Sequence, residues 1–265
     1  MVTNLLKDKP TRLFIILAGF FVTNALMAEM MGAKLFSLEK TFGFNPLNLV
    51  FFGQNFSFNL TAGVLLWPVV FIMTDVINEY FGPKGVRFLS FLTIGLILFA
   101  FLMLTGAIAL HPADFWSANY YKGVPDSNAA FSGIFGQSQA IIVASLVAFL
   151  LSQLLDVFIF HRIKKVTGEK NIWLRATGST LVSQFIDSFV VLFIAFYVAP
   201  RITNNVTAWS FAQVMAICVG NYIYKFVVAV LLTPVIYLVH SLIEKYLGRA
   251  DATQLKNLAM ANRNT

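Results

Sequence analysis

Charge is scarce in this chain. Asp, Glu, Lys and Arg make up 12% of its 265 residues, while 58% are hydrophobic and the mean hydropathy is +0.76. Soluble domains carry about twice that share of charge, so a water-solvated globule is excluded. Cysteine is almost missing too. The single Cys218 lies in an apolar run, which removes any disulfide framework. Histidine occurs only at 111, 161 and 240, near the ends of such runs, with no HExxH string and no Ser–His pairing. Enzymatic activity, a metal and a cofactor are therefore not expected. No Gly-rich phosphate loop is present either, so the chain cannot hydrolyse nucleotide by itself.

What the chain has instead is long apolar runs. Crossing a hydrocarbon layer takes roughly 20 mostly apolar residues, and runs near 13–31, 61–81, 86–110, 137–160, 177–199 and 212–240 qualify. The expected fold class is an all-α integral membrane protein with six transmembrane helices, forming a single domain over 1–265. It has a short N-terminal segment, 1–12, and a polar, frayed C-terminal tail from about 248. Cytoplasmic loops collect Lys and Arg. With the N-terminus inside, fourteen basic residues fall in cytoplasmic segments (7, 9, 12, 84, 87, 162, 164, 165, 170, 175, 245, 249, 256 and 263) and four fall outside (34, 40, 122 and 201). Both termini are therefore expected in the cytoplasm. The net charge of +7 then faces anionic lipid headgroups, and direct nucleic-acid binding is not expected. The first run is expected to stay uncleaved, because Glu29 and Lys34 follow it directly.

Several ionisable residues lie within these runs, where a charge costs a few kcal/mol to hold and so faces a bundle interior or a wet cavity. On the fifth run Ser179, Thr180, Ser183, Gln184 and Asp187 recur at helical spacing and line one face. Asp187 is the acid placed nearest mid-membrane. On the sixth, Asn221, Tyr222 and Lys225 share a face, and Lys225 is expected to pair with Asp187. The plainer reading of that pair is a salt bridge that only locks two helices. On the second run Asp75, Asn78 and Glu79 fall at i, i+3 and i+4. On the fourth, Ser152, Gln153 and Asp156 repeat the arrangement, with Arg162 close enough to neutralise the acid. For these carboxylates the alternative is snorkelling or pairing with Lys84, Arg87 or Arg162. Asn24 on the first run reads as a cavity residue, and Glu29 as an outer gate or an interfacial charge.

The outer loops differ in character. Residues 32–60 alternate apolar and polar positions and suit a short interfacial hairpin or a re-entrant lid. Residues 111–136 read as an irregular loop whose Trp116, Tyr120 and Tyr121 anchor in the headgroup layer. Acids, amides, Tyr and many Phe together suit a planar, polar, nearly neutral solute, and one deep cation is too few for a phosphorylated one.

The strings TDVINEYFG at 74–82, SQLLDVFIFHRIKK at 152–165, GSTLVSQFIDSFVVLFIAF at 178–196 and NYIYKFVVAVLLTPVIY at 221–237 resemble the queuosine precursor transporters, also called the vitamin uptake transporter family. That resemblance implies a six-helix bacterial inner-membrane importer of deazaguanine precursors of queuosine, 7-cyano- or 7-aminomethyl-7-deazaguanine. By motif position it carries over Asp75, Gln153, Asp156, Gln184, Asp187 and Lys225 as polar site residues. The mechanistic expectation is that Asp187 or Gln184 reads the N–H edge of the ring while Lys225 holds Asp187. Alternatives are the substrate-binding subunit of a multi-component importer, with Ala28 and Gly32 docking a partner helix, or an importer of another planar heterocycle. Coupling to protons and the oligomeric state, a homodimer included, stay open.

Overall fold

The computed structural model describes residues 7–47, 49–51, 53–117, 120–136, 139–168, 171–202 and 208–261, so Lys170 and Arg263 of the charge tally lie outside the described residues. Helix α1 (Lys9–Met31) starts where Asp8 accepts from the Thr11 N–H at 2.9 Å, with Pro10 in the first turn, a position where a missing N–H does no harm. It ends at Gly32. Residues 32–61 then form two antiparallel ladders, β1 (Leu35–Ser37) with β4 (Asn59–Thr61) and β2 (Leu49–Phe51) with β3 (Gln54–Phe56). Buried Glu39 fastens this segment by accepting from the Phe58 N–H at 2.8 Å and the Ser37 hydroxyl at 3.0 Å.

Helix α2 (Trp67–Ala109) spans 43 residues, and its backbone leaves helical geometry at Gly82, with φ 71° and ψ −175°. A straight helix of that length would be about twice the thickness of a hydrocarbon layer of ~30 Å. The break, followed by Pro83, divides it into 67–81 and 83–109. Next come α3 (Ser127–Phe135), α4 (Gln139–Thr167), α5 (Ile172–Leu192), α6 (Phe211–Leu231), α7 (Thr233–Leu247) and α8 (Arg249–Ala261). Among the described residues, five helical stretches are long and apolar enough to cross a membrane: Lys9–Met31, Trp67–Ala109, Ile141–Thr167, Ile172–Ile202 and Phe211–Leu231.

The burial pattern is that of a membrane bundle. Residues 83–109 turn Phe88, Phe91, Phe99, Leu102 and Met103 outward and bury Ser90 and Thr93. The apolar core joins α1 (Phe21, Ala25), α2 (Val70, Val76, Ile77), α4 (Phe149, Phe160) and α5 (Ala176). Polar side chains thus face the helix interfaces and apolar ones the lipid, as expected where water is absent outside.

Three expectations need correction. The run 212–240 is not one helix: α6 stops at Leu231, because Pro234 in the first turn of α7 has no N–H to continue the ladder. Residues 111–136 are not wholly irregular, since Asp126 accepts from the N–H groups of Asn128 and Ala129 and nucleates α3. The tail is not frayed over its described residues. Residues 249–261 form α8, which buries Ala252, Lys256 and Ala259 against α2 and α7. Lys256 Nζ donates to Glu244 Oε1 at 2.7 Å and lies 5.3 Å from the Tyr80 ring centroid.

Gly82 fixes how α8 docks. A Cβ placed there would stand 2.9 Å from the Ala259 carbonyl oxygen, and its positive φ disfavours any other residue. Gly82→Ala is expected to cost about 1–3 kcal/mol and to detach α8, read as a lower melting temperature in detergent and faster proteolysis after residue 248. Unchanged protection of α8 would contradict this packing.

Candidate functional site

Glu79 is the most heavily engaged acid. Its Oε1 accepts from Arg175 Nη2 at 2.8 Å and its Oε2 meets Lys164 Nζ at 3.0 Å, joining α2 to α5 and α4 with all three side chains at most 2% exposed. Arg175 also donates to the Gly168 carbonyl at 2.9 Å and faces the Phe160 ring. On the two residues flanking Glu79, Asn78 Oδ1 accepts from His161 Nε2 at 2.8 Å, and Tyr80 Oη lies 3.2 Å from His240 Nδ1. The expected partners were wrong: Glu79 pairs with Lys164 and Arg175, both assigned to loops by charge counting. Lys84, Arg87 and Arg162 are exposed. Asp156 is answered by Ser183, whose hydroxyl donates to Oδ1 at 3.2 Å, rather than by Arg162.

Next to this clamp lies a second polar group in which donors and acceptors do not balance. Thr74 donates to Gln153 Oε1 at 3.0 Å, pinning α2 to α4. Asp75 and Asp156 both face the Thr180 hydroxyl of α5. Yet Asp75 Oδ1, Asp156 Oδ2, Thr180 Oγ1, Gln153 Nε2 and Gln184 Nε2 are all buried without a well-formed hydrogen bond. Nearly every buried polar atom finds a partner in folded proteins, and Asp75, Thr180 and Gln184 are exceptions that also face a cavity.

Asp75, Thr180 and Gln184 also line a cavity of about 470 Å³ of empty space, part of it open to the exterior, with Thr177, Lys225 and the aromatic wall of Trp67 and Phe71. Its few polar groups on a mostly apolar lining are the composition of a small-molecule site. The local reason is helical phase. Trp67, Phe71 and Asp75 are spaced by four on α2, and Thr177, Thr180 and Gln184 by three and four on α5, so each set shares a face.

The predicted residues fall into three groups. Asp75, Gln184 and Lys225 line the cavity; Asn78, Glu79, Gln153 and Asp156 are buried behind it. Asp187 binds Lys225 at 2.7 Å, but the pair is 21% and 15% exposed, and Asp187 itself is not in the lining. Asn24, Asn221 and Tyr222 are not in it either: Asn24 donates to the Phe20 carbonyl of its own helix at 2.8 Å, and Tyr222 meets Phe185 edge to face. Glu29 is buried and accepts from Ser145 at 3.0 Å, not exposed at an interface. Sequence reasoning missed Lys164, Arg175, His161, His240, Trp67 and Phe71. The four-residue spacing of the two aromatics ahead of Asp75 was a signal available for Trp67 and Phe71. Among the described residues no cluster of three His, Cys, Asp or Glu side chains could hold a metal.

Comparison with known proteins agrees with this membrane architecture. Residues 61–239 match the family described as "Putative vitamin uptake transporter". A protein of Bacillus subtilis (strain 168) named "Probable queuosine precursor transporter" is 30% identical over 186 residues, covering 69% of this chain and 72% of that protein. One of Haemophilus influenzae with the same name is 27% identical over 68% of this chain and 67% of its own length. The "Queuosine precursor transporter" of Escherichia coli (strain K12) is 24% identical over 75% of this chain and 81% of its own length. No solved structure matches. The chain belongs to the vitamin uptake transporter family and is a multi-pass membrane protein.

The clamp has a direct test. Glu79→Gln leaves two buried cations facing a neutral amide and should destabilise the protein by about 3–5 kcal/mol, measured as a loss of thermal stability in detergent. A variant as stable as the parent would mean that the three charges are not buried together.

Proposed function

We propose that this member of the vitamin uptake transporter family imports queuosine precursors, 7-cyano- or 7-aminomethyl-7-deazaguanine, across the bacterial inner membrane into the cytoplasm. The curated relatives are named for queuosine precursors, and as transporters rather than enzymes. The observation that carries the reading to this chain is the convergence of Asp75, Thr180 and Gln184 on a cavity with an aromatic wall. A deazaguanine is flat. It presents adjacent N–H donors on one edge and a carbonyl acceptor beside them, which a carboxylate and a primary amide answer, while Trp67 or Phe71 covers a face. Asp75 replaces Asp187 as the carboxylate that reads the N–H edge, because Asp75 lines the cavity. Gln184 Nε2 donates to the carbonyl, and Lys225 marks the rim with Asp187 as its counter-ion.

The break at Gly82 supports six crossings, since it supplies two from one run. Both termini are then cytoplasmic, and α7 and α8 lie at the inner face with Lys245 and Arg249.

The test is restoration of queuosine in transfer RNA in a bacterial strain unable to make the precursors, with the external deazaguanine supplied. Expression of this chain should restore the modified base, and Asp75→Asn should reduce the initial rate of uptake at least about tenfold at equal membrane abundance. No restoration by the parent chain overturns the function; equal uptake by the variant overturns the role of Asp75.

A further inference from the structure

Three of the unsatisfied buried oxygens belong to Asp75, Asp156 and Thr180, and their relation goes beyond holding a substrate. Asp75 is 2% exposed and Asp156 not at all, and both face one hydroxyl. The charged groups around them are already committed. On α5, Arg175 is bound to Glu79 and to the Gly168 carbonyl. On α4, Lys164 is bound to Glu79 and His161 to Asn78. On α6, Lys225 is bound to Asp187. Glu79, a turn below Asp75 on α2, is itself paired with two cations. Among the described residues no ion pair is formed by Asp75 or Asp156, and Arg175, the cation that acts on Asp75, is bonded to Glu79.

With both carboxyls ionised, Thr180 has one hydroxyl proton to offer two oxygens, so one buried carboxylate oxygen stays unanswered beside a like charge. One additional proton closes the count. The Asp156 carboxyl O–H donates to Thr180 Oγ1, the Thr180 O–H donates to Asp75 Oδ1, and Ser183 keeps Asp156 Oδ1. All three orphan oxygens then have partners. A sodium ion fits less well. It needs several more oxygen ligands, and transporters supply them from unwound backbone, whereas Asp75, Asp156 and Thr180 sit in regular helix and the nearest break, Gly82, is about two turns from Asp75.

We propose that Asp75, Thr180 and Asp156 form a proton-binding site that couples uptake to the proton gradient. The proton sits on Asp156, so Asp75 can remain ionised beside it and accept the N–H edge of the substrate. Proton and substrate then bind together and cross in the same direction, as symport requires. The coupling rests on the proposed substrate, but the proton site does not.

Two measurements separate these. In proteoliposomes, with radiolabelled 7-cyano-7-deazaguanine as probe, an acid-outside gradient of about one pH unit should sustain about tenfold accumulation. Asp156→Asn and Thr180→Ala should abolish the response to the gradient, and Thr180→Ser should keep it. Gradient-independent uptake by the parent, accumulation driven by sodium instead, or an undiminished gradient response in Asp156→Asn overturns the coupling. In substrate-free protein, infrared spectra at neutral pH should contain the carbonyl stretch of a protonated carboxylic acid that disappears in Asp156→Asn. Identical spectra overturn the proton site whatever the substrate is. Failure of the parent to bind the deazaguanine while that band is present sinks only the substrate assignment.

Discussion

The rest of the bundle depends on the attachment of Glu79 to two cations at once. A carboxylate removed from water needs donors on both oxygens, and Arg175 and Lys164 provide them from different helices. The triad gives no net stability over well-packed apolar side chains of the same volume, but it is intolerant of losing one member. Its effect is geometric. It fixes α2, α4 and α5 in register at one level, and the hydrogen bonds of Asn78 to His161 and of Thr74 to Gln153 extend the α2–α4 part of that registration.

From that register the cavity follows. Once α2 and α5 are set, the four-residue spacing of Trp67, Phe71 and Asp75 meets the stripe of Thr177, Thr180 and Gln184 across a gap that α6 closes with Lys225 and Val228. The two polar regions differ in kind. Around Glu79 one carboxylate is held by two cations in a closed interior, whereas Asp75, Thr180 and Gln184 open onto the cavity. The closed region suits a support and the open one a site that receives something.

Much of this was legible from residue spacing, and the failures have physical causes. Asp75, Asn78 and Glu79 could be placed on one face because i, i+3 and i+4 coincide on any α-helix, and the Asp187–Lys225 contact followed from opposite signs at similar positions in neighbouring runs. Lys164 and Arg175 were read as loop charges because a tally by sequence position cannot tell a solvated cation from one folded back onto a buried acid. The helix at 249–261 was missed for a related reason. Its small apolar face is too weak to fold alone and becomes helical against Gly82 and Tyr80, more than 150 residues earlier in the chain. The prominence given to Asp187 came from counting residues into a run, which estimates height in a membrane but not the direction a side chain faces.

Beyond Leu192 the α-helical ladder widens into π-type turns over Phe193–Val198 before Ala199–Ile202 resumes it. Such a segment holds one residue more than the same length of α-helix, so everything after it is rotated by roughly 100° relative to the stripe before it. The rotation lets Phe193 stack on Phe189 and Tyr197, and Phe196 on Trp209 with centroids 4.1 Å apart. The segment therefore acts as a phase adapter between a helix half tuned to a solute and a half tuned to its own aromatic ladder. An evolutionary deletion of one residue here would unscrew that ladder while leaving Thr180 and Gln184 in place, so α5 and the segment that follows it to Ile202 can diversify separately.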